Sequence, residues 1–186
     1  MKRYLILIAA AAISLAAACS NSPKPKVAEE AASSPEAAVV ENTEAVPADD
    51  TRKFIDFTVE QPDGTKVSLS DYVGRGKYIL VDFWASWCGP CRREIPNIKN
   101  VYNQFHGEMF DIVSVAVWDK PEDSLQAIEE EGLVWNQIIN AGRVPTDLYG
   151  IEGIPHLILF GPDGSVVADD IRGPEIGAAV AKALGR

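Results

Sequence analysis

The strongest constraint on the fold is a pair of cysteines, Cys88 and Cys91, placed three positions apart directly after an apolar run. If a strand leads into a helix here, both thiols lie on one face of its first turn and can close a small disulfide ring. The helix N-terminus supplies unpaired N–H groups and partial positive charge, which stabilise a thiolate. Because the thiolate is the species that attacks disulfides, the pattern predicts a reactive dithiol.

Three other interpretations of the cysteine pair compete with this one. A structural zinc site takes four ligands, whereas the chain has three cysteines and two histidines, and Cys19 lies in a segment expected to leave the folded domain. Covalent haem attachment needs a histidine directly after the second cysteine, where Arg92 stands. A purely structural disulfide would close so short a loop that it removes little entropy from the unfolded chain. Thiol-disulfide exchange without a metal ion is therefore the favoured chemistry.

The first residues have the pattern of an export signal. A basic start is followed by an apolar run over 4–18, which is too short for a comfortable membrane span. The run leads into Cys19 in a sequence that resembles a bacterial lipobox, although Leu15 is one position further from the cysteine than usual. We predict a signal peptide over 1–19 that ends at Cys19 as the lipidated residue. Ordinary cleavage at an Ala-x-Ala site is the alternative.

Composition divides the rest of the chain into two parts. Residues 20–52 are rich in Ala, Pro, Glu, Ser and Val without amphipathic periodicity, which predicts a disordered linker that tethers a domain. Residues 53–186 are long enough for a single core and form the predicted domain. The net charge of −10 becomes more negative when the leader with Lys2 and Arg3 is removed. Nucleic-acid binding needs a basic footprint, so we expect no nucleic-acid partner.

The domain alternates strands with helices and then ends in a hairpin and a last helix. The signals are β-branched or apolar runs, turns at Pro-Asp-Gly, and apolar residues at helical spacing. We predict strands at 54–59, 66–69, 78–84, 110–117, 157–160 and 165–168, and helices at 88–105, 121–131 and 175–184. Strand-helix-strand order implies parallel pairing, whereas the closing hairpin is antiparallel. The expected architecture is a mixed sheet with helices on both faces.

Three motifs resemble the thioredoxin superfamily, and the resemblance covers nearly all of 54–184. The sequence WCGPC at 87–91 matches the thioredoxin active-site motif at every position, Pro96 matches a proline inside the following helix, and GIP at 153–155 matches the cis-proline segment that leads a strand. The leading hairpin, the sequence CRREIP and the export signal further resemble the membrane-tethered TlpA/ResA branch. The resemblance implies an α/β thioredoxin-like fold, with a mixed central sheet flanked by helices and an N-terminal β-hairpin extension.

The resemblance also implies roles for these residues. Cys88 is the nucleophile and Cys91 the resolving thiol, and no cofactor is needed beyond the Cys88–Cys91 disulfide. The residues agree with these roles: Cys88 is expected at the mouth of the helix, where it meets solvent, and Cys91 one turn inside, where it is better shielded. The substrate-binding residues would be those around the cysteines: Trp87, Gly89, Pro90, Ile154 and Pro155. Members of the branch reduce disulfides outside the cytoplasm. The expected partners are therefore protein disulfides, a membrane thiol reductase that donates electrons, and a bacterial membrane that holds the lipid anchor on its periplasmic side.

Asp82 is an acidic residue in the middle of the apolar strand that precedes the cysteines. Burial raises the pKa of a carboxyl group, so Asp82 is predicted to accept a proton as Cys91 becomes a thiolate. Its position matches the buried acid of thioredoxin. The lysine that thioredoxin carries on the next strand is missing from 110–118, which leaves Asp82 without an evident charge partner.

Two further polar residues have two interpretations each. His156 follows Pro155 and could lower the pKa of Cys88, but a polar residue at the start of a strand is a common structural feature. Glu94 could relay protons from the helix that carries the cysteines, but an acid near a helix N-terminus commonly favours the helix dipole alone. In both cases the structural interpretation is preferred.

Two functions compete with disulfide reduction. Peroxiredoxin-like thiol peroxidases share the fold and the leading hairpin, but they place the reactive cysteine differently and need no second cysteine three residues later. A non-catalytic module could instead use the edge at Pro155 to hold a peptide by strand addition. Peroxide consumption separates the first from a disulfide reductase, and replacement of both cysteines separates the second.

Overall fold

The structure is a computed structural model that describes residues 52–186. The predictions for a signal peptide at 1–19, for lipidation of Cys19 and for a linker at 20–52, apart from Arg52 itself, lie outside the described residues. Within the described part of the chain, no helix is both long enough and apolar enough to cross a membrane.

The described residues form strands and helices in alternation, with a short hairpin first. The strands are β1 Thr58–Glu60, β2 Lys66–Ser68, β3 Tyr78–Trp84, β4 Phe110–Ala116, β5 Asn136–Ile138, β6 His156–Phe160 and β7 Val166–Asp169. The helices are α1 Gly89–Phe105, α2 Pro121–Glu131, α3 Val144–Tyr149 and α4 Pro174–Ala183, and a single 3₁₀ turn covers Leu69–Asp71. Most predicted elements are present within a few residues of their expected bounds.

Strands β3 to β7 form one mixed sheet in the order β5-β4-β3-β6-β7. The pairs β3–β4 and β4–β5 are parallel, whereas β3–β6 and β6–β7 are antiparallel. The strands β1 and β2 pair separately as an antiparallel hairpin. The predicted mixed sheet with an N-terminal hairpin extension is thus confirmed.

The alternation of side chains along β3 sorts the core into two layers. Leu80 and Trp84 pack on one face of the sheet with the buried side of α1 and with residues of α4. Ile79, Val81 and Phe83 pack on the other face with the hairpin and with residues around α3. Because side chains alternate with a period of two, Asp82 lies on the α1 face, between Leu80 and Trp84.

Helix α1 begins directly after β3 and packs its apolar stripe on this same face. Its buried residues are Cys91, Ile95, Ile98, Val101 and Phe105. Pro90 stands in the first turn, where its missing N–H costs no hydrogen bond, and Pro96 lies inside the helix as the resemblance implied. Burial of a large apolar side chain contributes about 1.5–3 kcal/mol, so this stripe fixes α1, and with it the cysteines, on the sheet.

The structure differs from the predicted elements in two places. The predicted strand at 54–59 is shortened to Thr58–Glu60, because the chain before it pairs elsewhere: Lys53 bridges to Ser165, and Phe54 N–H donates to the carbonyl of Gly164 at 2.8 Å. The elements β5 and α3 were not predicted. Both are short, and neither has enough residues to establish a period.

Candidate active site

Cys88 and Cys91 are joined by a disulfide at the N-terminus of α1, with an S–S distance of 2.01 Å. Cys88 is the N-cap residue of the helix, and its Sγ accepts a hydrogen bond from the backbone N–H of Cys91 at 3.1 Å. An N-cap acceptor satisfies one of the unpaired N–H groups of the first turn. The same N–H group stabilises negative charge on the Cys88 sulfur once the disulfide is reduced.

The two cysteines do not differ in burial. Cys88 is 3% exposed and Cys91 is 2% exposed, so the expectation that Cys88 meets solvent is wrong for the disulfide form. The reason is local: the Cys88 side chain folds back over the first turn to cap it, and its sulfur lies against the segment before β6. What distinguishes the cysteines is therefore the capping hydrogen bond.

The Ile154–Pro155 peptide bond is cis and faces the disulfide. The carbonyl oxygen of Ile154 lies 3.7 Å from the Sγ of Cys88. A disulfide sulfur carries no hydrogen, so this is a contact between the two atoms rather than a hydrogen bond. Pairing of His156 with Phe83, one residue beyond Asp82, fixes where this segment meets the cysteines.

The surface around the disulfide is formed by exposed residues. Trp87 is 61% exposed, and Gly89 and Pro90 are also exposed. Trp87 is nevertheless held in place, because its indole Nε1 donates to the carbonyl of Trp118 at 3.0 Å. The indole of Trp118 donates in turn to the hydroxyl of Thr146 at 3.0 Å. Helix α3 thereby supports the residue that directly precedes the first cysteine.

Two cavities flank this surface. One, of about 200 Å³, lies between Trp87, Arg92 of α1 and the side of α2 that runs from Asp123 to Glu130. The other, of about 550 Å³, is lined by Trp118, by Glu152 and by residues of α3. The first opens beside the cysteine motif, and the second opens beside the segment that leads to Pro155. Both offer space for side chains that flank a bound disulfide.

Asp82 is a buried carboxyl group on the same face of the sheet as the cysteines, 4% exposed. Its Oδ2 accepts a hydrogen bond from the hydroxyl of Ser114 at 3.1 Å. Burial raises the pKa of Asp82 to about 7; the Ser114 hydrogen bond opposes this rise, and the negative charge of Glu94 adds to it. This is the predicted direction, and a carboxyl group with such a pKa exchanges protons near neutral pH.

Glu94 and His156 have structural partners. The Oε2 of Glu94 accepts from the backbone N–H of Gly173 at 2.9 Å, which ties α1 to the N-cap residue of α4. The Nε2 of His156 lies 2.8 Å from Asp169, and its Nδ1 lies 3.5 Å from Asp170. Both ring nitrogens of His156 thus face carboxylates, which agrees with the structural interpretation of this residue.

Sequence reasoning missed Ser114, Trp118 and Trp135 as parts of the site. The one signal for Ser114 was a hydroxyl group in an otherwise apolar strand, in which every other residue but Asp111 is apolar. The strand register that places it opposite Asp82 is a property of the fold. Within residues 52–186, no group of three or more His, Cys, Asp or Glu side chains is placed to hold a metal ion.

A model of the AhpC/TSA family matches residues 51–169, which is more than half of the chain. The chain belongs to the AhpC/TSA family. Among the curated proteins that it resembles is thiol-disulfide oxidoreductase ResA of Bacillus subtilis (strain 168), 30% identical over 111 residues, which are 60% of this chain and 61% of the relative. A second, thiol-disulfide oxidoreductase ResA of Halalkalibacterium halodurans, is 29% identical over 61% of this chain and 63% of the relative. The chain thus spans about six tenths of the length of these relatives.

Solved structures of thiol-disulfide oxidoreductases are similar to this chain over nearly their whole length. The thioredoxin domain of a thiol-disulfide oxidoreductase from Bacteroides vulgatus is 36% identical, with a TM-score of 0.65 over 72% of this chain and 96% of that one. A thiol:disulfide interchange protein from Bacteroides sp. is also 36% identical, with a TM-score of 0.64 over 72% of this chain and 89% of that one. These structures confirm the predicted thioredoxin-like fold and the predicted resemblance.

Proposed function

We propose that this protein is a thiol-disulfide oxidoreductase that reduces disulfides of other proteins through Cys88 and Cys91. The observation that carries the proposal is the Cys88–Cys91 disulfide at the N-terminus of α1, with Cys88 as the helix cap and the Ile154 carbonyl beside its sulfur. Such a site exchanges a disulfide with whatever peptide lies along the Ile154–Pro155 segment. The names of the relatives support the same chemistry.

The first half of the reaction is attack on the substrate. The Cys88 thiolate attacks one sulfur of a substrate disulfide, the substrate S–S bond breaks, and a mixed disulfide with Cys88 forms. The displaced substrate sulfur leaves as a thiolate and takes a proton from solvent. The capping N–H of Cys91 and the helix N-terminus favour this step, because they hold the attacking sulfur in its charged form.

The second half is resolution by Cys91. The Cys91 thiol gives its proton to the Asp82 carboxylate, and the resulting thiolate attacks the Sγ of Cys88. The bond between Cys88 and the substrate breaks, the second substrate sulfur leaves as a thiolate that takes a proton from solvent, and the Cys88–Cys91 disulfide is restored, so two electrons pass to the substrate. The pKa of about 7 at Asp82 suits a group that must take this proton and release it again.

Trp87, Gly89, Pro90, Ile154 and Pro155 are the proposed substrate-contact residues. Trp87, Gly89 and Pro90 surround the buried sulfur of Cys88 with exposed surface, so a substrate disulfide meets them first. No cofactor beyond the dithiol is proposed.

We further propose the reducing direction and the location. Gly89 and Pro90 add no side-chain donor to stabilise the Cys88 thiolate, so the reduced form is not stabilised beyond the helix terminus itself. The proposed electron source is a membrane thiol reductase. The proposed location is outside the cytoplasm: the signal peptide at 1–19 directs export, and a lipid on Cys19 tethers the domain to a bacterial membrane on its periplasmic side.

Reduction of insulin disulfides by the purified protein tests the function. With dithiothreitol as electron source, the wild-type protein is expected to accelerate insulin reduction, and the Cys88→Ser and Cys91→Ser variants are expected to lose most of this activity. Peroxide consumption is measured on the same samples. Rapid peroxide turnover with no insulin reduction would favour a thiol peroxidase instead, and activity that survives loss of both cysteines would contradict the proposed site.

A further inference from the structure

A chain of hydrogen bonds leads from an indole to the buried carboxyl group on the face of the sheet that carries α1. The Nε1 of Trp135 donates to the hydroxyl oxygen of Ser114 at 2.8 Å, and that hydroxyl donates to the Oδ2 of Asp82 at 3.1 Å. All three residues are buried. Buried polar groups in such a chain act as a unit, because none of them can exchange its partner for water.

The direction of these bonds follows from the donors available. An indole N–H can only donate, so Ser114 accepts from Trp135. The hydroxyl has a single proton, and an ionised Asp82 can only accept, so that proton is directed at the carboxylate. Trp135 occupies an acceptor position of the hydroxyl and so limits how it can rotate. The arrangement therefore stabilises the ionised form of Asp82 relative to the neutral form.

The fold places the three residues together. Ser114 is directly opposite Asp82 in the parallel register of β3 and β4, and Trp135 stands one residue before β5, which pairs with β4. On its other side Asp82 faces Leu157 of β6, which is apolar. The charged group that acts on Asp82 from α1 is Glu94, and its negative charge opposes ionisation. The stabilisation of the carboxylate thus comes from neutral donors.

We propose that Ser114 and Trp135 are positioning residues that set the pH at which Asp82 accepts the proton of Cys91. The inference rests on the proposed function, because it concerns the resolving step of that reaction. Cys91 belongs to the same buried cluster as Trp135, on the face of the sheet to which Asp82 and Ser114 point.

Substitutions at Ser114 and Trp135 are expected to shift the pH midpoint of the resolving step by different amounts. Ser114→Ala removes the hydrogen bond to the carboxylate, so the pH midpoint of resolution moves upward by about one to two pH units. Trp135→Phe leaves the hydroxyl in place but frees its rotation, so the midpoint moves in the same direction by less. Ser114→Thr keeps the hydroxyl and restores the wild-type midpoint. In an Asp82→Asn background, Ser114→Ala shifts nothing, because no carboxyl group titrates.

The reaction of reduced protein with 5,5′-dithiobis(2-nitrobenzoate) measures the two steps separately. Attack by Cys88 releases the first thionitrobenzoate, and resolution by Cys91 releases the second, so stopped-flow absorbance gives both rates as a function of pH. Ser165→Ala is the control, since the Ser165 hydroxyl also donates to a carboxylate, that of Asp163 at 2.6 Å, but in the turn after β6, at the end of the sheet opposite to the cysteines. It is expected to leave both phases unchanged.

The outcomes separate this inference from the proposed function. A normal first phase with an upward-shifted second phase in Ser114→Ala supports the inference. A normal first phase with an unshifted second phase in both Ser114→Ala and Trp135→Phe overturns it, whereas a missing first phase in the wild type contradicts the proposed function itself. If Ser114→Ala does not fold, infrared titration of the Asp82 carboxyl band in Trp135→Phe decides: a midpoint equal to that of the wild type overturns the proposal.

Discussion

The backbone N–H of Cys91 donates to the sulfur of Cys88 at 3.1 Å, so one cysteine of the pair caps α1 and the other lies inside its first turn. The two residues are equally buried in the disulfide form, and this one bond gives them different chemistry. Negative charge on the capping sulfur is stabilised by the helix N-terminus. Cys91 instead packs on the face of the sheet that carries the Asp82 carboxyl group, which disfavours a second negative charge when it is ionised.

This asymmetry predicts different thiol reactivity after reduction. Cys88 is expected to have a lowered thiol pKa and to react with iodoacetamide at least about tenfold faster than Cys91 at neutral pH. Alkylation rates against pH in the single-cysteine variants Cys91→Ala and Cys88→Ala measure each thiol by itself. Faster alkylation of Cys91 than of Cys88 at neutral pH would reverse the proposed roles.

Removal of the resolving thiol should trap substrates. In Cys91→Ala the attack by Cys88 is intact but the mixed disulfide cannot be resolved, so covalent adducts with substrate proteins accumulate. Non-reducing gels of cells that express this variant should show high-mass bands that disappear on reduction. The Cys88→Ala variant is the control. Adducts that form in the control and not in Cys91→Ala would show that Cys91 is the attacking residue.

The raised pKa of Asp82 predicts a pH-dependent stability difference. An aspartate carboxyl group in water has a pKa of 3.8, whereas the pKa of Asp82 in the folded domain is about 7. Below pH 3.8 the neutral carboxyl group therefore makes its full contribution to the stability of the folded domain. This contribution is lost as the pH rises to about 7, which lowers the free energy of unfolding by an amount on the order of 4 kcal/mol. Asp82→Asn cannot ionise and should be more stable than the wild type at pH 8 by a few kcal/mol at most.

Urea unfolding of the oxidised proteins between pH 4 and pH 8 provides the measurement. The stability gained by Asp82→Asn should be small at pH 4, grow as the pH rises to about 7 and then level off, because between these values the unfolded wild type has lost the carboxyl proton that the folded wild type still holds. A difference between variant and wild type that stays constant across the series would mean that Asp82 ionises in the folded domain as it does in water.

The lack of a side-chain hydrogen-bond donor at Gly89 and Pro90 predicts a low, reducing potential for the Cys88–Cys91 couple. Oxidants of this fold owe their potential to extra stabilisation of the reduced form, and these two residues offer no side-chain donor for it. Equilibration with glutathione, followed through the fluorescence of Trp84 and Trp87, gives the potential of the Cys88–Cys91 couple. Trp84 lies in the same buried cluster as both cysteines and is a suitable reporter. A potential above about −180 mV would contradict the reductase assignment.

The sequence was most informative where local pattern and fold coincide. The apolar run of β3, the cysteines at the start of α1 and Gly132 at the end of α2, with a φ of 59°, are each specified by neighbouring residues. The elements β5 and α3 have only three and six residues, so tertiary packing decides their structure. Pattern alone contains little information about such short segments.

Some features of the candidate site could likewise be predicted from local sequence, and others depend on the fold. Asp82 was recognisable because a carboxyl group in an apolar strand is unusual. Its partner Ser114 lies 32 residues away, and only the register of two parallel strands brings them together. The burial of Cys88 was also not predictable, because it depends on how the Ile154–Pro155 segment approaches the helix cap.

The segment at Arg52 and Lys53 has a consequence for how the domain meets other chains. Val166 N–H donates to the carbonyl of Arg52 at 2.8 Å, and Lys53 bridges to Ser165, so the beginning of edge strand β7 is already paired within the molecule. An unpaired strand edge is a template for intermolecular sheet growth. Here the domain's own entry segment occupies that position, which protects it from aggregation through the start of β7.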